Sequence, residues 1–315
     1  MRRFVDRKEE FDRSWQSLAR RANVLLVGQR GAGKTSFLRK LEASIAASDA
    51  LGHAVYVDAA AATTLGELIA TTHWRLGLAQ VDLAPALEVA EHYGSRHDPP
   101  GPVGAIELLH SLRPRSESLF PTSILLDEPL PDVAHTLFGR LRDEVWQLPY
   151  TWVVAIDVVD RPRVLQPPAD AFFGVVVELG ELSHRDAVEL LRARVGDELG
   201  LDDLELLADL AGHNPRRLIA LARETLVGGV PIAQLASDAR KREERLKGLS
   251  APARRVAEYL EDAGPRSASD EDLLAYFGWT RNRAVQVLNE LEQAGVLISR
   301  VQKGGRRKMY ELAGT

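Results

Sequence analysis

The stretch LLVGQRGAGKTSFLRKL, Leu25–Leu41, decides the fold. An apolar run, Val24 to Val27, ends in a glycine, the chain crosses a turn holding two more glycines, and Lys34 and Thr35 open a helical pattern. Gly28-Gln29-Arg30-Gly31-Ala32-Gly33-Lys34-Thr35 satisfies G-x-x-x-x-G-K-[ST], the P-loop or Walker A pattern. Glycines let the backbone wrap so that successive N–H groups point inward at phosphate oxygens, and the helix adds its positive dipole end at the same place. The expected element is a buried parallel strand, a phosphate-binding loop and a helix. Lys34 is expected to reach the β and γ phosphates of ATP, or the β phosphate of ADP, and Thr35 to ligate magnesium, with Ser36 beside them in the first turn.

A second stretch, TSILLDEPL at 122–130, ends an apolar strand in two carboxylates. Beside a P-loop, Asp127 can order a magnesium ion through its water shell and Glu128 can polarise a water for attack on the γ-phosphate. Adjacent acids at a strand end are also common as solvated turn residues. Three more β-branched runs, HAVYVDAA (53–60), TWVVAIDVV (151–159) and GVVVELGEL (174–182), are separated by helical patterns. This predicts an α/β core with a five-stranded parallel sheet covered on both faces. Asp157 closes the fourth strand, where it can sense the γ-phosphate, position the water, or serve as a turn residue.

Composition bounds the remaining choices. With 315 residues, 45% of them apolar and 27% charged, the chain can bury two or three cores, and disorder is excluded. The absence of cysteine rules out disulfides and thiolate metal sites, and the eight histidines show no ligand-type pairing such as His-x-x-x-His. His73, His92, His97 and His110 have no fixed spacing and are expected to be surface or packing residues. No apolar run is long enough to cross a bilayer, and MRRFVDRKEEFDRSW is charged throughout, so the expectation is a cytoplasmic protein without membrane contact.

After residue 182 the pattern becomes helical, with Ser183, Asp202 or Asp203, and Asn214 as expected N-caps. GHNPRRL places Pro215 at a first helical position and Arg216 and Arg217 in the first turn. There they oppose the helix dipole unless an external anion is present; the alternative is two solvated arginines. The segment GVPIAQLASDARKREERLKG, 229–248, reads as a solvated helical connector. The expected domains are therefore a core at 1–182, a helical lid and connector at 183–248, and a third unit at 249–315.

This order of P-loop, acidic strand end, polar strand end, helical lid and lid arginine resembles the AAA+ ATPases, in particular the origin-recognition initiators and helicase loaders and the related STAND signalling ATPases. FVDRKEEFDRSW is similar to their F-x-G-R-E-x-E box, with Phe4, Arg7 and Glu10 in register, Glu9 beside them and Asp6 in place of the glycine. The resemblance implies that Val5 and nearby backbone lie against the adenine. It also implies that Asp127 and Glu128 are the second nucleotide motif, that Asp157 is sensor 1 and that Arg216 is sensor 2. No arginine occurs between Arg163 and Arg185, where the family's inter-subunit finger stands; Arg161 and Arg163 are early stand-ins. That departure points to slow, switch-like turnover and leaves a homo-oligomer or a protein partner open.

From Leu249 on, three amphipathic helices precede VLISRV, the turn QKGG and RRKMYEL. Three helices and a basic hairpin form the winged helix-turn-helix pattern, a small α+β domain resembling the one that follows the ATPase in initiators. In that reading Arg281, Asn282, Arg283 and Gln286 enter the major groove of duplex DNA, and Lys303, Arg306, Arg307 and Lys308 touch phosphates or the minor groove. Residues 280–315 carry seven basic side chains against three acidic, inside a chain of net charge −5. The expectation is a nucleotide switch that binds duplex DNA. Its alternative is a STAND-like signalling or defence ATPase whose winged helix is a protein-docking or autoinhibitory module.

Overall fold

The computed structural model describes residues 7–48, 50–77, 102–113, 121–301 and 308–313. The chain divides into two compact units, Met1–Leu182 and Ser183–Thr315.

In the first unit a helix α1 (Lys8–Ala19) precedes β1 (Val24–Gly28), α2 (Lys34–Ala46), β2 (His53–Asp58), α3 (Leu65–Arg75) and α4 (Pro102–His110). Next come β3 (Thr122–Asp127), α5 (Pro131–His135), a π-type turn over Thr136–Arg140, and α6 (Arg142–Trp146). β4 (Tyr150–Asp157), α7 (Arg161–Val164) and β5 (Val175–Leu179) complete it. The strands form one sheet in the order β2-β3-β4-β1-β5, and every pairing is parallel. Parallel connections need crossovers, and these cover both faces. Alternate residues of each strand accordingly feed two cores. Leu25, Val27, Ile124, Leu126, Trp152 and Val154 pack on one side. Val24, Leu26, Leu125, Val153 and Val177 pack on the other, against Phe37, Leu38, Leu41 and Ile45 of α2. The near-continuous apolar runs seen in the sequence follow from this two-sided burial.

Register decides what the sheet presents at its carboxyl edge. Asp58 lies opposite Asp127, Asp127 opposite Ala155, and Gly28 between Asp157 and Leu179. The P-loop leaves the sheet from β1, an interior strand, and three acidic strand ends, Asp157, Asp127 and Asp58, follow in that order on one side of it. His92, His97 and the family box residues Phe4 and Val5 lie outside the described residues.

The second unit begins with α8 (His184–Val195), α9 (Leu201–Leu210), α10 (Pro215–Leu226) and α11 (Ile232–Lys247). Ser183 caps α8 by accepting from the Asp186 N–H, and Asn214 caps α10 by accepting from the N–H groups of Arg216 and Arg217. Asp202 and Asp203 are not caps. Gly200 holds the cap position of α9 and both acids fall in its first turn, where they complement the dipole instead. The charged segment read as a connector is helical, as α11, and exposed along most of its length.

A separate core gathers α12 (Ala251–Ala263), α13 (Glu271–Phe277) and α14 (Arg281–Gln293) around Val256, Leu260, Leu273, Val287, Leu288 and Leu291. The sheet beside them has three strands rather than two. A short β6 (Arg266–Ser267) pairs antiparallel with β8 (Lys308–Leu312), which pairs with β7 (Leu297–Val301). Two residues after a glycine carry too weak a periodic signal to be read as a strand.

Candidate nucleotide site

Gly33 stands at φ 95° and Gly31 at φ 83°, backbone that a side chain strongly disfavours, and α2 starts immediately after. Gly28 is constrained for another reason: a Cβ there would stand 3.0 Å from the Leu179 carbonyl oxygen of β5, so the strand would have to give way. The loop is thus shaped by backbone freedom at two positions and by a close strand approach at a third.

Lys34 is buried with only 4% of its surface exposed, yet it is not part of an apolar core. Its Nζ donates to the Gly28 carbonyl (3.0 Å) and the Gln29 carbonyl (3.3 Å) and lies 3.7 Å from Glu128 Oε1. Gln29, Arg30, Thr35 and Ser36 are exposed around the loop, with Gly31 half-buried and Ala32 buried. The ammonium is therefore folded into the loop's own concave face, next to the β3 carboxylates.

Glu128 follows β3 at φ 51°, one of four non-glycine residues at positive φ among the described residues, with its N–H held by the Ala155 carbonyl (3.0 Å). Left-handed backbone at a non-glycine residue costs energy and is concentrated at functional sites. It turns the Glu128 side chain, half exposed, toward Lys34. Asp127 is buried. Its Oδ2 accepts from the Tyr56 hydroxyl (2.7 Å), while its Oδ1, also buried, has no hydrogen-bond partner among the described residues. Burial and the adjacent Asp127 carboxylate push the Tyr56 hydroxyl well above its ordinary value, so it remains a donor. Arg39 of α2 lies 3.4 Å over the Tyr56 ring.

An orphaned, buried carboxylate oxygen is costly unless something pairs with it. Magnesium is the group that fits: a hard cation taking oxygen ligands, with Thr35 in the adjacent helix turn. The donor set here, a carboxylate and a hydroxyl, is compatible with it.

Asp157 ends β4 opposite Gly28, and its Oδ1 accepts from the Val159 N–H (3.1 Å). Three residues on stands a group the sequence did not single out. Burial, reinforced by Asp157, pushes the Asp160 carboxyl up to about 6, against the opposing pull of Arg163 and Lys34. Arg163 pairs with Asp132 (2.7 Å) and Arg161 with Glu178, so both stand-ins for a finger are engaged inside their own unit.

A second residue whose contacts the sequence did not give is Arg7. Buried, it donates from Nη2 to the carbonyls of Ala32 (3.1 Å) and Gly180 (2.6 Å) and pairs with Glu10 (3.4 Å). It ties the P-loop to the end of β5. The family box put Arg7 in register but assigned it no contact. Tyr56 was not singled out in the sequence; it lies inside β2, two residues before the strand's acidic end.

The remaining site residues lie in the second unit or outside the described residues. Arg216 is exposed in the first turn of α10, and its neighbour Arg217 pairs with Glu261 of α12 (3.0 Å). Arg281, Asn282, Arg283 and Gln286 are all exposed along the start of α14, with Arg283 beside Gln286 (3.4 Å) and over the Trp279 ring. Lys308 donates to Glu292 (2.6 Å) and lies over Tyr310, so part of its charge is neutralised within its own unit. Val5, Lys303, Arg306 and Arg307 lie outside the described residues.

The sequence matches no protein-family model. No curated protein matches it either. Solved structures do. The chain is similar to the Aeropyrum pernix ORC1 protein in complex with DNA at 21% identity, covering 100% of this chain and 91% of that one, with a TM-score of 0.55. It is similar to the Aeropyrum pernix ORC2 protein at 18% identity over 98% and 89% of the two chains, TM-score 0.53. It is similar to Cdc6p from Pyrobaculum aerophilum at 16% identity over 99% and 91%, TM-score 0.53. The strand order, the loop leaving β1 and the acidic end of β3 agree with that likeness: the chain has the AAA+ P-loop fold of the archaeal Orc1/Cdc6 initiators.

Proposed function

We propose that the chain is an ATP-binding, slowly hydrolysing molecular switch that engages duplex DNA through residues 249–315, taken as a winged helix. The observation that carries the nucleotide part is the convergence of a buried Lys34, held by loop carbonyls, with Glu128 at 3.7 Å and a buried Asp127 bearing an orphaned oxygen. Thr35 and Asp127 would hold magnesium, which when bound neutralises phosphate charge. Lys34 supplies a positive charge to the phosphates, in competition with Glu128. Glu128 orients a water and accepts its proton at the carboxylate, and Asp157 stands one strand away to position that water. Arg216 is proposed as the lid residue that distinguishes ATP from ADP. The domain division at 182 and 248 belongs to the same proposal.

Support for the partners comes by analogy. The ORC1 relative was solved with DNA and the ORC2 relative as ADPNP-ADP complexes. In this reading Arg281, Asn282, Arg283 and Gln286, exposed at the start of α14, would meet the major groove, and Lys303, Arg306, Arg307 and Lys308 would touch phosphates or the minor groove. One observation favours the signalling alternative: the Arg217–Glu261 pair joins α10 to α12, as an intramolecular docking contact would. Among the described residues no helix is long and apolar enough to cross a membrane.

The test uses the full chain. ATP should bind in the presence of magnesium, and Lys34→Ala should weaken binding at least about a hundredfold, since hydrogen bonds to charged groups are among the strong ones. Normal affinity in a folded Lys34→Ala protein would remove the nucleotide reading. Fluorescence anisotropy with duplex DNA, with and without ATP, should give a slope of log K against log salt of about −4 to −5 if four to six phosphates are neutralised. No binding at low salt in either state transfers the C-terminal unit to protein docking.

A further inference from the structure

Outside the nucleotide site, the structure brings His184, Asp209 and His213 together in the second unit. His184 opens α8, Asp209 lies in the last turn of α9, and His213 stands in the turn before α10. His184 Nδ1 is 3.2 Å from Asp209 Oδ1, His213 Nε2 is 3.7 Å from the same oxygen, and the two ring nitrogens are 3.4 Å apart. We propose that these three side chains form a binding site for a divalent transition-metal ion of the zinc type.

The triangle itself is the argument. Zinc bonds of about 2.0–2.1 Å seen across a tetrahedral angle put neighbouring ligand atoms about 3.3 Å apart. All three edges fall within a few tenths of an ångström of that value. As a purely hydrogen-bonded trio the same arrangement is poor. The 3.7 Å edge is too long for a hydrogen bond, and the nitrogen–nitrogen edge demands that one ring donate while the other accepts. A cation at the centre satisfies all three lone pairs at once. Two imidazoles and one carboxylate suit zinc, copper or nickel rather than magnesium or calcium. Because His184 and Asp209 are exposed, a fourth position opens to solvent.

Local backbone explains how His213 reaches the trio. The end of α9 is closed by Gly212 N–H to the Asp209 carbonyl and His213 N–H to the Ala208 carbonyl, with Gly212 and His213 both left-handed at φ 57°. This is the Schellman pattern. It folds the chain back so that the ring at 213 returns over residue 209, one helix turn earlier. A bound ion would pin the start of α8 to the turn that carries Asn214 and Arg216, the cap and first turn of α10. The site stands independently of the nucleotide reading.

The experiment is a calorimetric titration of the chelator-treated full chain with zinc alone. One equivalent should bind, and the double variant H184Q/H213N should weaken binding at least about tenfold, as should D209N, the range seen when metal shells are altered. Asn is chosen at 213 because it tolerates left-handed backbone. His110→Gln, which alters the histidine paired with Glu144, should leave binding unchanged. Cobalt substitution gives a second readout: the wild type should show the intense visible absorption of four-coordinate cobalt, and the double variant should lose it. Failure of the wild type to bind zinc, or equal binding by the wild type and both trio variants, overturns the proposal.

Discussion

The two units handle charge in opposite ways. At the carboxyl edge of the sheet, Lys34 and Asp127 are buried and their neighbours are backbone carbonyls, a tyrosine and a strained glutamate. At the start of α14, Arg281, Arg283 and Gln286 are exposed, and the charge pairs of that unit are partly open to solvent, as Arg300 with Glu311 between β7 and β8. Interior charges act at low effective dielectric, so each one matters individually. Solvated charges are screened and act by summation. The difference teaches that single substitutions should be decisive in the first unit and graded in the second.

The strongest way to break that contrast is Glu128→Gln. The amide keeps the shape but cannot take a proton, so turnover should fall by about 10²–10⁴-fold while ATP affinity is retained. Single-turnover hydrolysis beside equilibrium binding checks this, and unchanged turnover would make Glu128 a turn residue. On the solvated side, Arg281→Ala and Arg283→Ala should each weaken duplex binding only several-fold and reduce the salt slope by about one where the side chain meets a phosphate. A loss from Arg283→Ala that depends on base sequence would instead mark a base contact. A change of several orders of magnitude from either would break the comparison.

The smallest effect is a pH-dependent one at Asp160. Its folded pKa, about 6, lies above the ordinary carboxylate value. Folding therefore favours the protonated form, and the stability this contributes is complete below about 4 and lost as pH rises through about 6. Asp160→Asn should raise Tm relative to the wild type above that range and leave it nearly unchanged in acid. A Tm difference independent of pH would show that burial of Asp160 does not set its titration.

The P-loop was legible because its chemistry is local. Eight consecutive residues, between the strand before and the helix after, contain the glycines that permit the turn, and Lys34 folds back onto carbonyls five and six residues away. The acidic end of β3 was legible for a related reason: buried parallel strands are continuous apolar runs, so the first carboxylates mark where burial stops. Asp202 and Asp203 were misread as caps because an acid satisfies either a cap or a first turn, and only backbone geometry distinguishes them. Short β6 lacked enough residues to show a period.

Sequence alone therefore determined the α/β class with its five-stranded parallel sheet, the P-loop pattern, and Asp127 with Glu128 at the end of β3. Tertiary structure decided what those residues meet. Strand register set Gly28 beside Asp157, and lateral packing put Tyr56 on Asp127 across 71 positions and Arg7 on Ala32 across 25. It also joined His184 to Asp209 and His213, three residues whose sequence spacing carries no ligand signature. The physical reason is range: backbone dihedrals and apolar periodicity act over a few residues and are written in neighbours, whereas a buried carboxylate or a ligand triangle is completed by whichever side chains packing brings within about 3 Å.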